Sequence, residues 1–365
     1  MPHGFMKKII FIIALLFMGT AVHAESSKIL NLYSWSYALT PEIVSQFEQE
    51  TGIEVKIDVY DTPEVMETKL FAGHSGYDVV MVTLWPYFAR QLSAHIYQPL
   101  RLSLIPHWHG IDKDLLKRME EIDPGNQHAI PFVWGTCGFA YNKKKILERF
   151  PEAPLQNTAM LFDPSVVSRF SDCGVVLIDS PVDVFPAVLG YLKMDPQSGS
   201  LEDLKKASEA LSQVRPYVKK FQPNPSARDL TSEDYCLVEG FSGELLQAQT
   251  LGKQSGLDIE YVIPEEGGAL WVDGFAIPQD ATHVEEAHAF LNFVLRPDII
   301  AKVTNAIATA NSVPASLVFV EKNIRTNPLI YPSKEVQKKL YVDESHSSQF
   351  ERKRRREWVR VISGW

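Results

Sequence analysis

The N-terminal third of the chain alternates short apolar segments of period two with longer segments of helical period. Thr40, followed by Pro41, predicts the start of a helix that ends at Gly52, and Thr62 predicts the start of a second helix. The strands predicted around these helices are residues 29–35, 54–60 and 79–82. The last of them is apolar throughout, which is typical of a strand buried in a parallel sheet. This order of strands and helices indicates an α/β fold.

The middle of the chain repeats the alternation. The further predicted strands are residues 174–178, 259–263 and 271–277, and the further predicted helices are residues 184–192, a long helix after Ser200, and residues 285–295. Asp203 stands three residues after Ser200, in the manner of a capping box. No sequence repeat or long Gly/Ser linker separates the two halves. We therefore expect two α/β lobes joined by strand-like crossings near residues 130–132 and near Pro264.

Residues 1–24 have the features of a secretory signal peptide. Lys7 and Lys8 precede an uninterrupted apolar run of ten residues, 9–18, and Val22 and Ala24 occupy the −3 and −1 positions of a cleavage site. The run is too short for a permanent membrane span, and the flanking charges favour a signal over a buried N-terminal helix. We expect cleavage after Ala24 and export to an oxidising compartment.

Composition and charge narrow the range of possible functions and ligands. Of the 365 residues, 45% are hydrophobic and 22% are charged, which is typical of a globular protein and excludes wholesale disorder. The net charge of −9, which becomes −11 without Lys7 and Lys8, argues against nucleic acid and leaves cations open as ligands. After export, the three cysteines, Cys137, Cys173 and Cys236, predict one disulfide and one leftover thiol.

No catalytic or metal-binding motif is evident in the sequence, so we expect no enzyme, no cofactor and no metal site. Residues 240–244 approach the G-x-S-x-G pattern but have Glu244 in place of the last glycine. His107 and His109 could form half of a metal site, although a surface loop is the favoured interpretation. The basic run 352–356 could bind nucleic acid or a membrane, but a solvated helix face or a partner-binding patch fits the acidic chain better.

Aromatic residues and carboxylates occur together at the ends of several predicted strands. These groups are Trp35 to Tyr37, Asp179 with Asp183, Phe241 with Glu244, and Trp271 with Asp273. Ligands of open α/β sheets bind outside the carboxyl ends of the strands. An ammonium group gains about 0.5–2 kcal/mol from each aromatic face and about 1.5–3 kcal/mol from a carboxylate. Each of these residues could equally be a core aromatic or a surface acid, but together they suit a slender organic cation with several amines.

Several segments of the chain resemble the periplasmic polyamine-binding proteins of ABC transporters, of the putrescine and spermidine type. The segments are LYSWS at 32–36, ETGIEV at 50–55, GYDVV at 76–80, IPFVWG at 130–135, IPEEG at 263–267, WVD at 271–273 and LNFVLRPD at 291–298. The resemblance covers the whole mature chain and implies a type II periplasmic-binding-protein fold. In that fold each lobe is a mixed sheet flanked by helices, and the ligand cleft lies between the lobes. The expected bounds are residues 25–133 with about 265–310 for lobe 1, and residues 134–264 with about 311–365 for lobe 2 and the C-terminal helices.

The resemblance also implies a set of ligand-binding residues. By motif position they are Trp35, Ser36, Tyr37, Thr83, Trp85, Asp183, Phe241, Glu244, Trp271 and Asp273. The acids would hold amines and the aromatic rings would line the methylenes. The resemblance further implies a disulfide between Cys173 and Cys236, which leaves Cys137 free.

The chain departs from the family pattern at three positions. Tyr37 and Ala38 stand where the family has an acid and a tyrosine, and Thr309 stands near an expected aromatic residue. One missing carboxylate would weaken amine binding by roughly 10- to 150-fold. The sequence therefore predicts the transport role more firmly than it predicts which polyamine is bound.

The function expected from the sequence is that of a monomeric periplasmic protein that captures a linear polyamine and passes it to an inner-membrane ABC permease. One alternative is a receptor of the same fold for another small solute. A second is a sensor that presents its closed form to a membrane signalling partner. A secreted hydrolase is disfavoured, because no nucleophile–base set is visible.

Overall fold

A computed structural model describes residues 28–36, 38–232 and 234–364 of the chain. The predicted signal peptide and Tyr37 lie outside the described residues. The ten strands of the described chain are β1 Lys28–Ser34, β2 Ile53–Val59, β3 Val79–Thr83, β4 Ala129–Asn142, β5 Val175–Ile178, β6 Lys220–Gln222, β7 Leu237–Phe241, β8 Ile259–Val262, β9 Leu270–Ala276 and β10 Ala310–Asn311.

Helices follow most of the strands, as the alternating pattern predicts. They are α1 Pro41–Thr51, α2 Pro63–Phe71, α3 Ala89–Ser93, α4 Lys113–Met119, α5 Lys143–Arg149, α6 Ala159–Phe162, α7 Pro164–Val167, α8 Pro181–Tyr191, α9 Leu201–Val214, α10 Ala227–Thr231, α11 Ser242–Gln254, α12 Val284–Val294, α13 Pro297–Ile307, α14 Lys322–Arg325, α15 Lys334–Gln337 and α16 Ser348–Ser363. Helix α8 begins three residues earlier than the sequence predicts, so that Asp183 lies in its first turn.

One mixed sheet runs through the molecule in the order β2-β1-β3-β9-β4-β7-β5-β6, and β8 and β10 also pair with β4. The outer strands on each side are parallel to one another, whereas β4 pairs antiparallel with every one of its neighbours. Strand β4 is 14 residues long. Its first half pairs with β9 and its second half with β7 and β8, so this single strand passes from one half of the sheet to the other.

The described residues form four apolar clusters, and two of these cores lie along the two halves of this strand. One core packs β1, β3 and β9 against α1 and α12, where Phe47 meets the rings of Phe290 and Phe293 at centroid distances of 5.5 and 5.2 Å. The other packs β5 and β7 against α8, α9 and α16, with Phe185 and Trp358 edge to face at 5.7 Å. The division of the apolar side chains is that of a two-lobed α/β protein.

The helix caps explain where two of the main helices begin. Thr40 Oγ1 accepts a hydrogen bond from the N–H of Ile43, Pro41 occupies the first position of α1, and Gly52 closes the helix with φ of 71°. Ser200 caps α9 as predicted, but the reciprocal half of the capping box is absent. The carboxylate of Asp203 instead accepts a hydrogen bond from the hydroxyl of Ser198.

Two motifs left open by the sequence have structural roles. His107 and His109 lie in a short turn of 3₁₀ helix, where His107 contacts the side chain of Asn292, and no metal-binding group of His, Cys, Asp or Glu occurs among the described residues. The expectation of a solvated face for the basic run 352–356 is wrong at one residue. Arg354 is 2% exposed, because it points inward from α16, whereas the other four side chains of the run are exposed.

The disulfide implied by the resemblance is confirmed. Cys173 and Cys236 are bonded, with their Cα atoms 5.5 Å apart, and Cys137 is a free, buried thiol. The bond joins the residues that precede β5 and β7, two neighbouring parallel strands. Burial raises the pKa of the Cys137 thiol well above its ordinary value, which leaves it unreactive in the folded protein.

We expect one thiol to react in the denatured, unreduced protein and three after reduction, as counted with a chromogenic thiol reagent. A Cys137→Ser control should give none before reduction and two afterwards. Replacing both Cys173 and Cys236 by serine should lower the free energy of unfolding by up to about 4 kcal/mol, because the bond closes a long loop. Three reactive thiols before reduction would contradict the pairing.

Candidate functional site

A cavity of about 890 Å³ lies in the molecule, and side chains from both halves of the sheet line it. Nine of the ten side chains that the sequence predicts for a ligand site line this cavity. They are Trp35, Ser36, Thr83, Trp85, Asp183, Phe241, Glu244, Trp271 and Asp273. The tenth, Tyr37, lies outside the described residues. Segments separated by more than 200 positions in the sequence therefore meet at one place.

The strand ends bring these side chains together. Trp35 and Ser36 directly follow β1, and Thr83 is the last residue of β3. Phe241 ends β7, and Glu244 lies in the first turn of the helix that follows it. Asp183 occupies the same position after β5, in the first turn of α8. Because β5 and β7 are parallel neighbours, their carboxyl ends reach the same edge of the sheet.

Asp273 is fixed by its register on β9. It lies opposite Thr83 of β3, and the hydroxyl of Thr83 donates a hydrogen bond of 2.6 Å to Asp273 Oδ1. The residue is only 3% exposed. Trp271 stands two positions earlier and therefore on the same face of the strand, as the sequence predicts. One strand thus presents an aromatic ring and a carboxylate to the cavity.

Aromatic packing requires a glycine on the neighbouring strand. Gly135 of β4 pairs with Trp271, and a Cβ atom at Gly135 would overlap both the indole ring of Trp271 and the hydroxyl of Ser242. The rings of Trp35 and Tyr60, which also line the cavity, pack with centroids 4.3 Å apart. Packed aromatic rings therefore form part of the cavity wall.

Burial raises the pKa values of the cavity acids. The pKa of Asp183 rises to about 6, chiefly because burial disfavours its charge and also because Asp343 lies nearby. Burial raises the pKa of Glu244 as well, and the charge of Asp273 adds to the effect. A positive ligand would favour the ionised form of each of these carboxylates.

The sequence missed several residues that line the cavity. They are Tyr60, Asp61, Glu64, Tyr87 and Asp343, among others, whereas Asp179 was singled out with Asp183 at a strand end. The hydroxyl of Tyr87 donates to Glu64 at 2.7 Å. Tyr60 and Asp61 follow a strand end and could have been found by the same rule that selects Trp35. Asp343 lies in an irregular segment between two helices, where no pattern marks it.

The cavity is strongly acidic. Eight carboxylic acids and one lysine are among the described residues that line it, and these are Asp61, Glu64, Asp179, Asp183, Glu244, Asp273, Glu321, Asp343 and Lys253. A cavity of this charge attracts cations and repels anions.

A shared strand, two cores and a cavity lined from both sides define a two-lobed solute-binding protein. Residues 42–330 match the family described as bacterial extracellular solute-binding protein, and the chain belongs to that family. It is a family of binding proteins, which confirms the prediction that the chain is not an enzyme. No helix within the described residues is long and apolar enough to cross a membrane.

Individual relatives support the resemblance seen in the sequence. The chain is 39% identical over 344 residues to a putrescine-binding periplasmic protein of Pseudomonas aeruginosa, covering 93% of this chain and 94% of the relative. It is 36% identical over 355 residues to a putrescine-binding periplasmic protein of Escherichia coli, covering 96% of each. A solved structure from Listeria monocytogenes, assigned as a spermidine/putrescine ABC transporter, superposes with a TM-score of 0.81 at 26% identity, covering 92% of this chain and 99% of that one.

A further buried acid lies beside the cavity. Glu239 of β7 is 2% exposed and accepts a hydrogen bond of 3.2 Å from the N–H of Ile178. Burial, with a contribution from Asp183, raises the pKa of Glu239 to about 8. Glu239 is therefore protonated in the folded protein at neutral pH and ionised in the unfolded chain.

The contribution of Glu239 to the free energy of unfolding should consequently fall as the pH rises from about 5 to 8, because this group binds a proton in the folded state that it has lost in the unfolded state. Glu239→Gln removes this pH dependence. The free energy of unfolding of the variant minus that of the parent should therefore rise by up to about 1.4 kcal/mol per pH unit. Urea titrations at pH 5.5 and 7.5 measure this difference. Glu260→Gln is the control, because hydrogen bonds from Lys143 and Tyr141 outweigh burial and lower the pKa of Glu260. This variant should change the free energy of unfolding by the same amount at both pH values. Equal pH dependence in Glu239→Gln and the parent would contradict the prediction.

Proposed function

We propose that the protein captures a linear polyamine of the putrescine or spermidine type between its two lobes and delivers it to an ABC permease for import. The observation that carries this proposal is the cavity itself, in which the nine side chains predicted from the sequence supply three carboxylates, four aromatic rings and two hydroxyls. Polyamines combine ammonium groups with short methylene segments. The two kinds of side chain match the two parts of such a ligand.

Each part of the ligand has a corresponding group in the cavity. Asp183, Glu244 and Asp273 would accept hydrogen bonds from ammonium groups, each contributing about 1.5–3 kcal/mol. The rings of Trp35, Trp85, Phe241 and Trp271 would cover the methylenes, at about 0.8 kcal/mol for each CH₂ buried, and would attract the adjacent ammonium charge. Thr83 would hold Asp273 in place, and Ser36 would complete the wall after β1. Tyr37 remains a ligand-binding residue by the resemblance alone.

The relatives support the transport role. Two of them are putrescine-binding periplasmic proteins, and the similar solved structure is assigned to a polyamine ABC transporter. By the same reasoning, the mature protein would begin after Ala24 and work in the periplasm as a monomer, with an inner-membrane permease as its partner. The two cores support the lobe bounds expected from the sequence, and closure of the lobes would bury the ligand.

A thermal-shift panel of putrescine, cadaverine, spermidine and spermine tests the proposal. At 100 times Kd a ligand adds about 2.7 kcal/mol to the free energy of unfolding, which should raise Tm by roughly 5–10 °C. Glycine betaine and γ-aminobutyrate serve as controls for other small solutes. If no polyamine at millimolar concentration shifts Tm, the polyamine proposal fails, and a shift with one of the controls would redirect it.

Asp273→Ala should remove most of the polyamine affinity and leave the fold intact, because the carboxylate lines the cavity while β9 is held by backbone pairing with β3 and β4. The expected loss of polyamine affinity, measured by titration calorimetry, is about 10- to 150-fold. Glu54→Ala removes an equal charge from an exposed position of β2 and should bind as the parent does. Near-normal affinity in Asp273→Ala would mean that the ligand lies elsewhere.

A further inference from the structure

Two loops that follow the opposite ends of the sheet meet beside the cavity. One loop follows β2 and contains Asp61, and the other follows β6 and contains Asn224. The strands β2 and β6 are the two ends of the sheet order, yet Asn224 Nδ2 donates a hydrogen bond of 3.2 Å to the main-chain carbonyl of Asp61. Both residues line the cavity. The two halves of the sheet are therefore linked at the strands that lie farthest, in sheet order, from the strand β4 that they share.

The loop after β6 is held in shape by its own hydrogen bonds. Gln222, the last residue of β6, donates hydrogen bonds of 3.0 Å to the carbonyl of Asn224 and to Asp229 Oδ2. The same carboxylate oxygen accepts from the N–H and the hydroxyl of Ser226, which forms a capping box at the start of α10. Because the main chain is fixed on both sides of Asn224, its side chain loses less conformational freedom when it bonds to Asp61.

The partner loop is fixed as well. The hydroxyl of Thr62 caps α2, and Pro63 occupies the first position of that helix. Just before the loop, Tyr60 is buried, and its hydroxyl donates to the carbonyl of Met81 on β3. The carbonyl of Asp61, which is the acceptor of the contact, is therefore presented at a defined place.

The contact lies where an opening movement would separate the two halves most. Both halves share β4, so opening of the cavity is a rotation about this strand. At about 4.8 Å per strand, β2 is about 19 Å and β6 about 14 Å from β4 across the sheet. A rotation that moves the two loops apart by only about 1 Å lengthens the contact beyond hydrogen-bonding distance. The hydrogen bond between Asn224 and Asp61 is therefore made only when the halves are closed.

We propose that Asn224 is a positioning residue for ligand binding, whose hydrogen bond to the carbonyl of Asp61 stabilises the closed arrangement and so strengthens the binding of any ligand enclosed in the cavity. This inference rests on the proposed function, in which closure buries the ligand. Asn224 acts on the distance between the two halves and not on the ligand itself. A more populated closed state raises the apparent affinity for every enclosed ligand by one common factor.

The test compares two variants that each remove one side-chain amide. Asn224→Ala removes the donor of the contact, and Gln49→Ala is the matched control, because Gln49 is exposed on α1 and donates a hydrogen bond of 3.0 Å to Ser45 of the same helix. Titration calorimetry should give Asn224→Ala a Kd that is weaker by about 2- to 10-fold, and by the same factor for putrescine, cadaverine and spermidine. Gln49→Ala should bind each of these ligands as the parent does.

Dissociation kinetics give a reading that a merely structural role of Asn224 would not change. Trp35, Trp85 and Trp271 line the cavity, so ligand release can be followed by stopped-flow tryptophan fluorescence. The loss of affinity in Asn224→Ala should appear as a dissociation rate that is faster by about 2- to 10-fold, because the contact must break before the ligand leaves. A role confined to the shape of the loop would lower Tm and leave the dissociation rate unchanged.

The outcomes separate the two proposals. If the parent binds polyamines and Asn224→Ala keeps a parent-like Kd and dissociation rate, the proposed function stands and the inference about Asn224 is overturned. A loss of affinity confined to one ligand would also overturn it, because Asn224 would then contact that ligand directly.

If the parent binds no polyamine, the proposed function fails, and closure is judged on the protein without ligand. Small-angle X-ray scattering should then give Asn224→Ala a larger radius of gyration than the parent and Gln49→Ala, because the closed arrangement is less populated. An equal radius of gyration in all three proteins would overturn the inference.

Discussion

The hydrogen bonding of β4 is the constraint on which the arrangement of the cavity depends. One half of this strand belongs to the sheet that carries Thr83 and Asp273, and the other half belongs to the sheet that carries Phe241 and, beyond it, Asp183. Because β4 is shared, it sets how the ends of β1 and β3 are placed relative to the ends of β5 and β7. Gly135 of β4 lies against the indole ring of Trp271, and a side chain at this position would overlap that ring.

This arrangement concentrates acidic groups in a place where their charges are poorly solvated. Burial raises the pKa of Asp183 and Asp343 to about 6 and that of Glu239 to about 8. Ionised carboxylates in the cavity therefore carry an electrostatic cost that an organic cation relieves. Selectivity for positive charge follows from this cost, and selectivity for shape follows from the aromatic walls.

The sequence predicted the fold and most of the cavity for one physical reason. Residues at the carboxyl ends of strands converge, so a local pattern of strand followed by aromatic or acid was enough to find Trp35 and Glu244. Asp273 instead lies within β9, and the two-residue spacing from Trp271 placed both side chains on one face of that strand. The disulfide came from the resemblance, since spacing alone left three pairings open. Asp343 and the inward direction of Arg354 were not predictable, because they depend on how an irregular C-terminal segment and α16 pack against lobes far away in the sequence. Arg354 lies in a run of five basic residues, and only tertiary contacts distinguish it from its exposed neighbours.

The disulfide constrains the distance between two of the cavity acids. The bond clamps β5 to β7 at the ends that point away from the cavity, and the two strands are also joined by their parallel hydrogen bonds. Asp183 and Glu244, each in the first turn of the helix after its strand, are therefore carried on one rigid piece. Whatever movement brings the lobes together, the spacing between these two acids stays constant. The opposite lobe then contributes contact and enclosure, while the fixed spacing of Asp183 and Glu244 on this lobe sets the distance between the charges that a ligand must match.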